Sequence, residues 1–229
     1  MISSDQNPAS PNPGADGTKK QGEVVAFDAE TRIERWLKVS IGLGRFEQTM
    51  WPLVLQLGRL DTRLVQADET WPDRFFEPKL SYEDSSALHE HITLSYLWVL
   101  GAYEFIRTLC DRVSTDDEDM TPVTVRDILQ GVKHRFARVR MPLAKMEAAS
   151  KHANEDGPIA YPGVIRGVGV AWKLNPNAIV PRRELSDALL EALERRRSAF
   201  LKYRADQHRR ESEREPQESP CQSGDLDRD

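Results

Sequence analysis

Residues 88–113 read LHEHITLSYLWVLGAYEFIRTLCDRV, the most apolar run in the chain. At 100° per residue, Leu88, Ile92, Val99, Tyr103, Ile106, Cys110 and Val113 fall on one helical stripe, which Leu94, Trp98, Phe105 and Leu109 widen. The apolar arc then covers about 200° of the circumference. A helix apolar over so much of its girth needs neighbours on most sides, so these residues predict the central helix of a bundle. The remaining polar strip holds Glu90, Thr93, Glu104, Arg107 and Asp111.

Toward the N-terminus, Trp36, Val39, Leu43, Phe46, Met50, Leu53, Leu57, Leu60 and Leu64 recur at spacings of three and four, an a/d seam of coiled-coil type. Asp28 is placed to cap a helix beginning at Ala29, with Thr31 at the third helical position. Pro52, together with Gly42, Gly44 and Gly58, argues against one straight rod. The seam therefore predicts either a kinked helix or two helices that meet near Met50 and Trp51. Residues 71–82, WPDRFFEPKLSY, read as an ordered connector whose Phe75 and Phe76 plug the end of the bundle.

Toward the C-terminus, the acidic run Asp116–Asp119 ends the central helix, because carboxylates oppose the dipole at that end. Thr121 and Pro122 start a third helix, with Pro122 at its first position and Ile128, Leu129, Val132, Phe136 and Val139 on one face. Pro142 is expected to bend or end it. Val168, Val170, Trp172 and Leu174 then alternate with Gly169, Ala171 and Lys173, which is the period of a strand. The turn Asn175-Pro176-Asn177 and the return Ala178–Val180 complete a small β-hairpin. A last helix from near Arg182 buries Leu185, Leu189, Leu193, Phe200 and Tyr203, and continues as a charged extension. The expected fold is mainly α: a bundle of four or five helices with one small β-hairpin inserted before the last helix.

Composition sets the expected boundaries. Residues 1–23 form a disordered N-terminal tail, 24–208 a single helical domain, and 209–229 a disordered acidic C-terminal tail, since neither end has enough apolar side chains to offset its ordering entropy. The net charge of −5 selects no partner by itself. Two cysteines, Cys110 and Cys221, make no disulfide framework, and a reducing compartment fits them. No apolar run precedes Val24 and no 18-residue window lacks polar groups, so we expect no signal peptide, no membrane span and a cytoplasmic location.

The candidate chemistry is sparse. His89 and His91 lie two residues apart and point roughly 200° from each other on a helix, so they read as a rim pair rather than as ligands of one ion. No metal or cofactor is expected. Cys110 sits on the apolar stripe, where a thiol is inert. Gly163, Gly167 and Gly169 match neither phosphate-loop spacing and read as tight hairpin packing.

Glu104, Arg107 and Asp111 carry the catalytic candidacy. Arg107 is three residues after Glu104 and four before Asp111, so it can bridge both. Exposed, the three form a surface ladder; covered by the hairpin or by Arg182 and Arg183, they form a buried polar site. The binding candidates are basic. Arg126, Lys133 and Arg140 repeat every seven residues on the third helix, with Arg138 beside them, and Arg182 and Arg183 open a last helix rich in arginine. The function expected is a non-enzymatic cytoplasmic interaction or accessory protein that associates with a protein partner or a second copy through its helical seam. The alternative is a nucleic-acid-associated protein, a nuclease among them, that uses the basic third and last helices with Glu104 or Asp111.

Overall fold

Asp28 starts the first helix as its position predicts. Its carboxylate accepts from the Thr31 hydroxyl and from the Glu30 amide at 3.0 Å, and these bonds hold the Asp28 carboxyl below its usual range. The computed structural model describes residues 28–44, 49–70, 76, 79–115 and 121–214. Among them are five helices and a three-stranded sheet that precedes the last helix, so the fold is mainly α.

The seam folds back on itself. α1 spans Ala29–Gly44 and α2 spans Met50–Thr70, so the second helix begins where Pro52 can occupy a first turn that has no intrahelical acceptor for its missing amide. Trp36, Val39 and Leu43 of α1 and Met50, Leu57 and Leu64 of α2 are buried, Leu60 is half-buried and Leu53 is exposed. Phe46 and Phe75 lie outside the described residues. Gly58 lets the two helices close: a Cβ there would collide with the Trp36 side chain.

α3, Tyr82–Thr115, is the central helix. Trp98, Val99, Ala102, Phe105, Ile106, Leu109, Cys110 and Val113 are all buried, between α2 on one side and α4 on the other. The Trp98 indole donates to the Leu57 carbonyl at 3.0 Å, and its ring lies 5.9 Å from that of Phe136 on α4.

α4 runs Val123–Lys145, with Pro122 at the cap rather than at the first helical position. Of the two outcomes expected at Pro142, a bend or an end, the end does not occur there. The helix passes through Pro142 to Lys145 and stops at Met146, whose φ is 56°. Pro142 is buried and Leu143 packs on the core, so apolar contact offsets the lost amide bond.

The sheet contains the expected hairpin and one strand more. β2, Gly169–Asn175, pairs antiparallel with β3, Ala178–Pro181, and on its other edge with β1, Tyr161–Ile165. β1 escaped the periodicity reading because most of it is exposed and it carries Pro162 and Gly163 in place of alternating side chains. Trp172 and Leu174 of β2 join the core.

α5, Arg182–Arg214, packs on α1, α4 and the sheet. Leu185, Leu189, Leu190 and Leu193 are buried. The helix continues past residue 208 to Arg214. No helix among the described residues is long and apolar enough to cross a membrane.

Candidate functional site

Asp61 and Asp68 occupy the same face of α2 as Leu57 and Leu64. Carboxylates on a core face must find cations or hydrogen-bond donors there. The first residue of α5 supplies one. Arg182, fully buried, reaches Asp61 Oδ1 at 2.8 Å through one terminal nitrogen and Asp68 Oδ2 at 3.0 Å through the other. Its guanidinium lies 5.6 Å from the centre of the Trp98 ring.

α1 supplies the second cation. Arg32 donates from Nε to Asp61 Oδ2 at 2.7 Å, from one terminal nitrogen to Asp187 at 2.7 Å and from the other to Ser186 Oγ at 2.5 Å. Asp61 also accepts from Trp36 Nε1 at 2.9 Å and from Ser186 Oγ at 2.5 Å. Burial alone would raise its carboxyl, but the charges of Arg182 and Arg32 outweigh that and hold it below the usual range. For Arg32, burial disfavours the charge, and Asp61 more than restores it.

His91 completes the cluster. Its Nε2 lies 2.7 Å from Asp68 Oδ1, and the residue is buried, so the rim position expected for both histidines holds for exposed His89 alone. Gly169, at the start of β2 with φ +93°, presses against the Asp68 carboxylate so closely that any Cβ would overlap it. One ionic cluster thus joins α1, α2, α3, α5 and the sheet. Both carboxylate oxygens of Asp61 and of Asp68 already have a hydrogen-bond partner within the chain.

A cleft of about 210 Å³ opens beside Asp68, lined by Glu69, Phe76, Val164, Arg166 and Gly167 among others. Arg166 lies 4.9 Å from the centre of the Phe76 ring. The cleft walls hold neither a cysteine nor a hydroxyl nucleophile among the described residues.

The catalytic candidates lie elsewhere. Arg107 donates to Glu104 at 2.9 Å and stands 3.7 Å from Asp111, with all three side chains near half exposure. Neither the sheet nor Arg182 and Arg183 covers them. Arg140 adds a 3.3 Å contact to Glu104 and lies 5.1 Å from the Tyr103 ring centre. This is the surface ladder. Solvent screening leaves such a ladder little net stability.

The basic candidates do not converge either. Arg138 grips buried Asp156 through two bonds of 2.7 and 2.8 Å, and Asn175 donates to the same carboxylate at 2.8 Å. The Arg138 bonds hold the Asp156 carboxyl down despite its burial. Arg126 donates to the Thr121 carbonyl, Arg183 pairs with Glu69, and Arg182 is consumed by the core cluster. Lys133 lies half-buried on α4, near enough to Cys110 to act on its charge. Burial nevertheless pushes the Cys110 thiol up to about 11, so it is inert at neutral pH.

No protein-family model matches the chain, and no curated protein or solved structure is similar to it. Among the described residues, no group of three or more His, Cys, Asp or Glu side chains could hold a metal ion. Sequence reasoning missed Arg32, Asp61 and Asp68, and set His91 aside as a rim residue. A signal was present for two of them, since Asp61 and Asp68 interrupt an otherwise apolar helical face.

Proposed function

We propose that this chain is a non-enzymatic interaction or accessory protein of the cytoplasm that associates through exposed helix faces, its heptad seam being closed within the α1–α2 hairpin. The observation that carries this reading is the saturation of the Asp61 carboxylate in a buried ionic cluster. Asp61 accepts four hydrogen bonds from Arg32, Trp36, Arg182 and Ser186, which leaves no lone pair aimed at a substrate. A general acid or base needs a free face within hydrogen-bond reach of a reacting atom. Glu104, Arg107 and Asp111 lie on an open helix surface, with no wall to exclude water around them.

One observation favours the nucleic-acid reading as the second choice. Lys202, Arg204, Arg209 and Arg210 are exposed on the outer half of α5, and no ion pair takes them up among the described residues. Such a helix attracts phosphates at low salt.

Binding to a single-stranded oligonucleotide as salt is raised decides between the two. Four phosphate contacts predict a log–log slope of about 3, at roughly 0.7 per contact. The interaction reading requires that binding vanish near physiological ionic strength. Micromolar binding that persists there, and that replacement of Lys202, Arg204, Arg209 and Arg210 by Gln abolishes, would replace it. Cleavage of the strand that is lost in Glu104→Gln would place the protein among nucleases.

A further inference from the structure

The outer face of the α1–α2 hairpin is built in two complementary halves. At 100° per residue, Glu30, Glu34, Leu37 and Ile41 share the side of α1 that turns away from buried Trp36, Val39 and Leu43. Leu55, Arg59 and Arg63 share the matching side of α2, with Trp51 at its edge. Leu37, Ile41 and Trp51 are 41%, 58% and 43% exposed, so this face presents large apolar side chains to solvent.

Height along the hairpin orders these residues. Gly58 lies against Trp36, so the antiparallel run puts Glu34 level with Arg59, Glu30 level with Arg63, and Ile41 near Leu53 and Leu55. One end of the face is therefore apolar on both helices. The other end is acidic on α1 and basic on α2. Glu34 contacts Lys38 at 2.9 Å within its own helix, and Arg59 and Arg63 make no ion pair among the described residues.

We propose that a second copy of this chain docks on this face about a two-fold axis parallel to the hairpin, so that α1 of each copy lies along α2 of the other. The two-fold exchanges the halves at constant height. Leu37 and Ile41 of one protomer then cover Trp51 and Leu55 of its partner, and Glu30 and Glu34 meet the partner's Arg63 and Arg59. Both protomers make the same contacts, as an isologous interface requires. The result is a four-helix layer, apolar at one end and ion-paired at the other, with the geometry of bundle packing. A second copy is favoured over an unrelated partner because the charge pattern of α1 is the complement of that of α2 on the same face. The proposal rests on the interaction reading and names its partner.

Sedimentation of the full chain, at low and then moderate salt, tests it. The expected species is a dimer that weakens as salt rises. Glu30→Arg with Glu34→Arg should weaken dimerisation about tenfold or more, and so should Arg59→Glu with Arg63→Glu, since each turns attractive pairs into like-charge pairs. Mixing the two variants should restore pairing as a heterodimer, because every contact is then opposite in sign again. Restoration also shows that both variants are folded. A monomer at about 100 µM overturns the proposal, as does a dimer indifferent to either charge reversal or a mixture that stays unpaired. A monomer that ignores oligonucleotides at physiological salt removes only the second copy as partner. Salt-resistant oligonucleotide binding removes the interaction reading itself.

Discussion

Arg182 and Asp61 form an ion pair of 2.8 Å between two side chains that are both completely buried, 121 residues apart in sequence. The pair joins the start of α5 to the middle of α2. Arg182 follows directly on β3, so the same contact fixes how the sheet meets the bundle.

Replacing Arg182 by Met should destabilise the protein by about 3–5 kcal/mol, because two buried carboxylates lose their shared cation. Against a total of about 5–15 kcal/mol, that is a large part of folding. Urea denaturation followed by circular dichroism measures it. Arg182→Lys should recover only part of the loss, since one ammonium cannot reproduce a fork that spans Asp61 and Asp68. A Met variant as stable as the parent would mean that the cluster contributes no net stability.

Asp61 sets the acid limit. Its folded carboxyl is held below the unfolded value of 3.8, so between the two the unfolded chain binds more protons. The contribution to stability is then complete above the unfolded value and is lost as pH falls through the folded one. Denaturation midpoints should stay level down to about pH 5 and fall steeply below pH 4. A midpoint that improved on acidification through this window would contradict the sign.

Three glycines should respond in opposite directions to alanine. Gly169→Ala forces a side chain into φ +93° and onto Asp68, and should cost about 1–3 kcal/mol or more. Gly58→Ala displaces the Trp36 indole and should cost about 1–3 kcal/mol through overpacking. Gly131 lies inside α4 with open space around it, so Gly131→Ala should stabilise by about 0.5–1 kcal/mol. Thermal melts of the three variants read the signs directly.

Arg107→Gln should leave the denaturation midpoint essentially unchanged, because Glu104 and Asp111 keep their water when the ladder is broken. A marked fall of that midpoint in urea would show that the ladder is not a solvated surface feature.

Much of the fold was legible because helical periodicity is a local property. The stripe from Trp98 to Val113 needs only its own spacing to declare a buried helix, and the structure buries it. β2 declared itself through the alternation of Val170, Trp172 and Leu174, whereas β1, mostly exposed, had no buried face to alternate. The candidate site was less legible. Glu104, Arg107 and Asp111 were grouped correctly by spacing, but whether they lay open or covered depended on elements far along the chain.

The sequence by itself determined which segments are helical, which of their faces are apolar, and that a strand pair precedes the last helix, since each follows from residue spacing within one segment. Only the tertiary structure decided that the Trp36–Leu64 seam closes on itself as an antiparallel hairpin around Gly58. It alone chose the partners of Arg32, Asp61, Asp68, His91 and Arg182. The physical reason is that spacing within one helix can mark a charge as inward-facing, as it does for Asp61 and Asp68, but cannot name the partner that a distant segment brings to it. Solvent screens an arginine on an open helix to near indifference, while the same arginine inside the bundle needs carboxylates beside it, and only the packed fold brings Asp61 and Asp68 to 2.8 and 3.0 Å from Arg182.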